Sequence, residues 1–354
     1  MNNENKKYIP KYFAAANGYA GFRSYFDEIF SPDEYDRIYV LKGGPGTGKS
    51  SFMKKISETF SSMGCMIEEI YCSSDPTSLD GVIIKSKSKK MAILDGTAPH
   101  ERDAKIPGAF DQIINLADNL DGTWLSSRRA EILSLLNEKS RAYKTAYFYL
   151  SSAGVFDSFI HKIYDNNFDR SKAKNKADGF LQEILIGSRA KIETRLIGSF
   201  GRYGERRFDT LFEQDLRLIK VGGSEYSTDV FLNFCKSVLE EKNANMTRFP
   251  SALNSNYTDA ILLSDISLAI VRSDDFEIDA DEYISLSPIE TEQIRTAKAL
   301  RIDSLDEARR WFTIASDIHF RLEKLYTAAM NFGKNNQLIT KTIEEITTII
   351  EKDI

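Results

Sequence analysis

Residues 43–50 read GGPGTGKS and match the phosphate-binding pattern G-x-x-x-x-G-K-[ST] in full. The apolar run 38–41 precedes this motif and predicts a buried strand, while residues 51–60 predict a helix without internal Gly or Pro. Glycines let the backbone fold around a phosphate chain, with its N–H groups and the positive end of the following helix facing the anion. The motif therefore predicts a P-loop nucleotide site.

The motif assigns roles to its residues. Lys49 is expected to reach the β and γ phosphates as a point charge, and Ser50 to hold Mg²⁺ through its hydroxyl. Together, the residues expected to contact the nucleotide are Gly43, Gly44, Pro45, Gly46, Thr47, Gly48, Lys49, Ser50 and Ser51. The chain also contains N-K-x-D at 175–178, a guanine-reading motif, but this segment follows a polar run rather than a buried strand. We therefore expect ATP rather than GTP.

A second P-loop element is an Asp at the end of a neighbouring buried strand, near the magnesium ion. Asp95 follows the apolar run 91–94 and is predicted to be this second metal residue beside Ser50. The other interpretation is that Asp95 only caps a turn with Gly96.

The general base is less well defined, because no Glu follows Asp95 as it does in many motor-type ATPases. Loop candidates for this role are Asp75, Asp80, His100 and Glu101. His100 could orient water, bind a second substrate or hydrogen-bond a loop. Asp75 could touch Mg²⁺, the γ-phosphate or a substrate, as could Ser73 and Ser74, or it could cap a turn before Pro76. The expected catalytic set is Lys49, Asp95, Asp75 and His100.

Cys72 and His100 are considered together as a metal site or a nucleophile pair. They have no spacing typical of metal ligands, so this pair alone predicts no metal centre.

The chain repeats itself at a spacing of 179 residues: segment 216–223 resembles 37–44, and 259–263 resembles 80–84. A helical segment repeats as well, since 322–326 resembles 160–164. In the second copy Gly48-Lys49-Ser50 becomes Ser227-Thr228-Asp229, and Arg272 stands at the place of Asp95. A carboxylate would repel a triphosphate there, so one nucleotide site per chain is predicted.

These features predict an α/β fold: a three-layer P-loop NTPase with a parallel sheet, in two tandem copies that each carry a helical hairpin. The first copy is expected at 1–190, with a core at 10–125 and a hairpin at 126–190. The degenerate copy is expected at 191–354, with a core at 195–300 and a hairpin at 303–354.

Composition narrows the class of protein. The net charge of −5 over 354 residues argues against a general nucleic-acid binder. Three cysteines without a C-x-x-C pair, no apolar region near the N-terminus and no membrane-length apolar run predict a cytoplasmic protein without a membrane partner.

Basic residues raise two further hypotheses. If the copies face each other as an intramolecular pseudo-dimer, an arginine of the second copy could reach the γ-phosphate. The candidates for this role are Arg202, Arg206, Arg207 and Arg272. Four basic residues of the first hairpin could belong to a lid over a substrate or simply form a solvated helix face: Arg128, Arg129, Lys139 and Arg141.

Three blocks of the first copy, RIYVLKGGPGTGKS, IYCSSDPTSLDGVII and MAILDGTAPH, resemble an uncharacterised family of bacterial tandem P-loop ATPases. The resemblance covers most of the chain and implies ATP binding through Gly43 to Ser50, with Asp95 at the metal. The resemblance implies no particular substrate. The second copy lacks the P-loop lysine, and this departure from the family pattern argues against a mechanism with two nucleotide sites.

The leading hypothesis is a Mg-ATP-binding protein and slow ATPase that couples nucleotide state to movement of a domain or an unidentified protein partner. One alternative is a kinase for a small-molecule or nucleotide acceptor. A second alternative is a non-catalytic ATP sensor or scaffold.

Overall fold

The computed structural model describes residues 9–182, 191–213, 215–273, 279–286 and 290–351. The N-terminal residues 1–8, the last part of the first predicted hairpin at 183–190 and the C-terminal residues 352–354 lie outside the described residues. In the part described, no helix is both long enough and apolar enough to span a membrane.

The chain divides into two compact units, and neither is a continuous segment. The first comprises the described residues up to 15, then 26–145 and the chain from 311 onward; the second comprises 16–25 and 146–310. The sequence predicted two consecutive halves that meet at residue 190. The division differs because the helices near the C-terminus pack in the first unit.

The helices of the described residues vary from single turns to nearly forty residues. In chain order they are α1 (Phe26–Ile29), α2 (Lys49–Ser62), α3 (Gly122–Ser127), α4 (Arg129–Asn167), α5 (Arg170–Gln182), α6 (Glu225–Glu241), α7 (Glu292–Ala328) and α8 (Phe332–Glu351). The connection between α4 and α5 therefore lies at 168–169, and the connection between α7 and α8 lies at 329–331.

The strands form two six-stranded sheets and two short hairpins. Those up to residue 115 are β1 (Lys11–Phe13), β2 (Ala15–Gly18), β3 (Gly21–Ser24), β4 (Arg37–Lys42), β5 (Met66–Tyr71), β6 (Leu79–Lys85), β7 (Lys90–Asp95) and β8 (Asp111–Asn115). The remaining strands are β9 (Ile192–Thr194), β10 (Gly198–Gly201), β11 (Gly204–Arg207), β12 (Arg217–Gly222), β13 (Met246–Pro250), β14 (Thr258–Leu263), β15 (Leu268–Arg272) and β16 (Glu282–Ser285).

The sheet of the first unit has the order β1-β5-β6-β7-β4-β8, and that of the second has the order β9-β13-β14-β15-β12-β16. The strands of the second sheet are arranged in the same order along the chain as those of the first. Each pair of neighbouring strands is parallel or antiparallel in the same way in both sheets. The two units thus share one connectivity.

The prediction of a parallel sheet was wrong, because both sheets are mixed. In the first, β6 runs antiparallel to both β5 and β7. The connections 72–78 and 86–89 are too short for the crossover that parallel neighbours need, so each forms an antiparallel turn. The strand before the GGPGTGKS motif, β4, keeps parallel neighbours, β7 and β8.

The first core lies between its sheet and the apolar face of α2. Tyr39 and Leu41 of β4 pack there with Phe52 and Ile56, while Ile346 of α8 closes the same cluster. In the second core the matching strand positions are Ile219 and Val221. Because strand side chains alternate between faces, β4 and β12 correspond at a spacing of 180 residues, one more than the sequence comparison indicated.

Candidate functional site

The GGPGTGKS motif lies in the predicted context, between the end of β4 at Lys42 and the start of α2 at Lys49. The connecting residues 43–48 form a loop in which Gly46 and Gly48 adopt φ angles of +69° and +87°. These are left-handed conformations that other residues adopt only with strain. The glycines of the motif therefore permit the bend that turns the strand into the helix.

Side chains of α7 and α8 hold one side of the loop 43–48, which we call its outer side. Thr327 donates a hydrogen bond to the carbonyl of Gly46 at 3.2 Å, and Asn335 donates one to the carbonyl of Thr47 at 2.8 Å. In a trans peptide the N–H group points opposite to the carbonyl. The N–H groups of Thr47 and Gly48 are thus turned toward the inner side of the loop.

The start of α2 differs from that of α6 in how it is capped. Its N-cap is Gly48, which provides no side-chain cap, whereas Ser224 caps α6 by accepting from the N–H of Ser227. An uncapped helix start combines unbonded N–H groups with the positive end of the helix dipole. The two helices that follow matching strands therefore differ in what their first turns can bind.

Lys49, the first residue of α2, points back over the loop. Its ammonium group donates to the carbonyls of Gly43 and Gly44 at 3.0 and 2.9 Å and lies 3.6 Å from the carboxylate of Asp95. Asp95 is the last residue of β7, directly beside β4, as the sequence predicted. Its other oxygen caps a turn by accepting from the N–H and the hydroxyl of Thr97 at 2.8 and 2.6 Å. Asp95 thus caps a turn and also faces the ammonium group of Lys49.

The loop between β5 and β6 lies against the first turn of α2. The hydroxyl of Ser50 accepts from the N–H of Leu79 at 3.0 Å. Asp75 accepts from the hydroxyls of Thr77 and Ser78 at 2.7 and 2.8 Å, so both of its oxygens cap a turn. These bonds match the turn-capping alternative for Asp75.

Asp80 and His100 are buried near Asp95, whereas Glu101, the remaining general-base candidate, is exposed. Burial and the neighbouring carboxylate of Asp95 raise the pKa of Asp80 well above its usual range. Burial lowers the pKa of His100, which favours its neutral imidazole at neutral pH. The structure thus groups Lys49, Asp80, Asp95 and His100, and it places Asp75 in a neighbouring turn.

Two helix segments of the first unit add polar groups near Lys49. The amino-terminal part of α4 and the carboxyl-terminal part of α7 pack through an apolar cluster that includes Leu135 and Leu322. Burial, with the charges of Lys139 and Lys49, lowers the pKa of His319 to about 4. Burial and the charge of Asp75 raise the pKa of Glu323, and the same two lysines oppose this shift.

Sequence reasoning missed the residues that hold the outside of the loop, Thr327 and Asn335. The neighbouring Tyr326 packs so closely on Gly44 that a Cβ added there would lie 2.8 Å from the ring. The only signal for this contact was the repeat of segment 160–164 at 322–326, which marked the helix but not what it contacts.

Between β12 and α6 the second unit has no loop comparable to residues 43–48. Only residues 223–224 separate β12 from α6, and Ser227 and Thr228 lie inside the helix. Arg272, the last residue of β15, donates a hydrogen bond to Asp229 and lies 3.5 Å from Asp259. A buried ion pair therefore occupies the part of this unit that corresponds to Ser50 and Asp95.

The other basic candidates lie elsewhere in the fold. Arg202, Arg206 and Arg207 belong to the hairpin of β10 and β11, where Arg207 pairs with Glu205 at 2.6 Å. Arg128 pairs with Glu131 at 3.2 Å across one turn of helix. The N-K-x-D segment lies inside α5 rather than after a strand, which is not the context that a guanine site requires.

Comparisons of the chain with protein-family models, with curated proteins and with solved structures found no significant match.

Proposed function

We propose that the first unit is a P-loop unit that binds Mg-ATP, and that the protein is a slow ATPase coupling nucleotide state to movement of a unit or of a partner. One observation carries the proposal. The carbonyls of Gly46 and Thr47 are bonded on the outer side of the loop, so the N–H groups face its inner side, in front of an uncapped helix start and Lys49. This arrangement suits a polyphosphate.

Each neighbouring residue then has a role. Lys49 would exchange its bonds to two loop carbonyls for phosphate oxygens, and Ser50 and Asp95 would hold Mg²⁺. Both contain oxygen donors, the ligand type that magnesium prefers. The bound ion would neutralise charge that develops on the phosphates.

We expect slow turnover because three of the four candidate bases near the site are poorly suited to activate water. No carboxylate follows Asp95, both oxygens of Asp75 are used in a turn, and Glu101 is exposed. Burial lowers the pKa of His100, which makes its imidazole a weaker base for the attacking water. Of the original candidates, Asp80 and His100 lie nearest to Asp95.

We further propose that the two six-stranded sheets derive from tandem copies of one ancestral segment, because they share strand order and strand direction throughout. The second copy would serve as an intramolecular partner without nucleotide. A cytoplasmic location remains a prediction that depends on three free cysteines, Cys65, Cys72 and Cys235.

A kinase is the second candidate. Lys139, His319 and Glu323 interact electrostatically with Lys49 or with one another, so charged and polar groups of α4 and α7 lie in the neighbourhood of Lys49. Such groups could bind a small-molecule acceptor. ADP release that rises at least about tenfold when one metabolite is added would favour transfer over hydrolysis.

Isothermal titration calorimetry with ATP and Mg²⁺ tests the proposal. Lys49→Ala should weaken affinity about tenfold to hundredfold, since charge-assisted bonds to phosphate are lost. Thr228→Ala changes the corresponding position of the second unit and should leave affinity unchanged. Tight binding by Lys49→Ala, or no binding by the unmodified chain, would refute the assignment. Binding without measurable ADP production would leave the sensor or scaffold.

A further inference from the structure

Three ligand-type side chains of the first unit converge at one point beside the P-loop. Asp80 lies near the start of β6, Asp95 ends the neighbouring β7, and His100 lies on the loop that follows. One ligand atom from each lies within 4.8 Å of the others, and the Nε2 atom of His100 is 3.9 Å from Asp80. All three residues are more than nine-tenths buried.

The imidazole of His100 is held in place and has an unused ligand atom. Its ring stacks on Phe26 with a centroid distance of 4.3 Å and an interplanar angle of 11°. Its Nε2 atom is buried and has no hydrogen-bond partner among the described residues. Burying such an atom without a partner costs free energy, so a group that it can bind is expected at this point.

The charges nearby also favour a cation. Asp80 and Asp95 bring two buried carboxylates together, and the single charge of Lys49, 3.6 Å from Asp95, can balance only one of them. Arg102, on the same loop as His100, lies instead 4.0 Å from Asp111.

In the second unit, an arginine side chain neutralises the carboxylate at the corresponding position. There Asp259 corresponds to Asp80, and Arg272 replaces Asp95 at the end of the strand, with its guanidinium 3.5 Å from Asp259. In the first unit this position carries a further carboxylate and an imidazole approaches it. The first unit thus has a set of potential metal ligands where the second unit has a cationic side chain.

We propose that Asp80, Asp95 and His100 form a divalent-cation site that prefers Mn²⁺, Co²⁺ or Zn²⁺ to Mg²⁺. Two carboxylates and one imidazole suit these borderline ions, whereas magnesium favours oxygen ligands and retains water. The site shares Asp95 with the proposed nucleotide site. It needs no nucleotide, so the two proposals can fail separately.

The test uses untagged, full-length protein, stripped with a chelator and free of nucleotide, and titrates it with Mn²⁺. Electron paramagnetic resonance of free Mn²⁺ should reveal one site per chain, from which Mg²⁺ displaces Mn²⁺ only at tenfold or greater excess. His100→Gln should weaken the affinity for Mn²⁺ at least about tenfold, since even indirect partners of a metal contribute that much.

His161→Gln is the matched control. The Nε2 atom of His161 is also buried without a hydrogen-bond partner among the described residues and lies 4.0 Å from Asp157. That carboxylate, however, binds Arg301 at 2.9 Å. This variant should bind Mn²⁺ like the unmodified chain.

A spectroscopic readout keeps the proposal testable if His100→Gln does not fold. The chain has three histidines, so electron spin echo of the Mn²⁺ complex should show one ¹⁴N coupling that persists in His161→Gln and His319→Gln. Absence of a Mn²⁺ site, equal affinity in folded His100→Gln, loss of affinity in His161→Gln or absence of the ¹⁴N coupling would each overturn the proposal.

Discussion

The side-chain amide of Asn335 donates a hydrogen bond of 2.8 Å to the carbonyl of Thr47, which lies 288 residues earlier in the chain. Asn335 in turn accepts from the amide of Asn119 at 2.9 Å and is almost fully buried. A residue near the C-terminus therefore helps to set the conformation of the loop 43–48. The orientation of the loop depends on a contact that no local motif specifies.

Asn335→Ala should weaken both the fold and the site. The carbonyl of Thr47 and the amide of Asn119 would lose their partner in a buried place, at a cost of about 1–3 kcal/mol. If the change in loop geometry weakens ATP binding by about 1 kcal/mol, the affinity for ATP falls about fivefold. Calorimetry and urea unfolding measure the two effects. The exposed neighbour Asn336, changed to Ala, should alter neither; equal behaviour of the two variants would contradict this role of Asn335.

The local elements of the site were predictable from the sequence, because they follow from hydrophobic runs and one motif. β4, the loop 43–48 and α2 have the predicted order, and Asp95 ends its strand as expected. The convergence of Asp80 and His100 was only partly predictable. Both were named as loop candidates, but only the pairing of β6 with β7 brings Asp80 next to Asp95.

What the sequence could not indicate is which helices pack on which sheet. Periodicity identifies an apolar face but not its partner, and a hairpin that follows a core in the chain is easily assigned to that core. Here α8 contributes Ile346 to the core of the first unit. The prediction of a parallel sheet depended on the GGPGTGKS motif alone. The short connections on either side of β6 already favoured antiparallel turns.

A fragment of residues 1–190 should not fold as an independent unit. It lacks α8 and the end of α7, and therefore loses Met330 and Ile346 from the first core. Circular dichroism should show a broad melt without a cooperative transition. Co-expression with residues 191–354 should restore a soluble complex that binds ATP. A cooperative melt and ATP binding by the fragment alone would contradict the division described above.

Gly46→Ala should abolish ATP binding through crowding as well as strain. An added Cβ would lie 2.5 Å from the carbonyl oxygen of Glu323, and the φ angle is already +69°. Gly64 is the matched control, since its φ is +89° but no heavy atom lies within 4 Å of an added Cβ. Gly64→Ala should cost about 1–2 kcal/mol from backbone strain and leave ATP affinity intact. Equal losses of melting temperature, with ATP binding retained in both, would rule out the crowding effect.

The stability of the fold should depend on pH through His319. Its pKa is about 4 in the folded protein, because of burial and the charges of Lys139 and Lys49, against about 6.5 in an unfolded chain. Between these values the unfolded chain binds a proton that the folded chain excludes, so stability falls as the pH is lowered from about 6.5 toward 4. Above that window the group contributes no pH dependence.

His319→Gln isolates this contribution from that of other titrating groups. Urea unfolding at pH 7.5 and at pH 5 should show that the unmodified chain loses more free energy of unfolding on acidification than the variant does. Between pH 7.5 and 8.5 the two should change in parallel. An equal loss at pH 5 would mean that His319 is as easily protonated in the folded chain as in the unfolded one.

Arg272→Met should be among the most destabilising changes in the second unit. It removes the guanidinium that bonds Asp229 and approaches Asp259, both of which are almost completely buried. Breaking a buried pair by removing one partner costs about 3–5 kcal/mol, because a charge remains without compensation. The double variant Asp229→Asn with Arg272→Met should recover part of this loss.

Arg217→Met is the matched control, because it removes an exposed pair with Glu282 and should cost no more than about 1 kcal/mol. Urea unfolding compares the three variants, and similar stability of Arg272→Met and Arg217→Met would show that the buried cluster tolerates the loss of its cation.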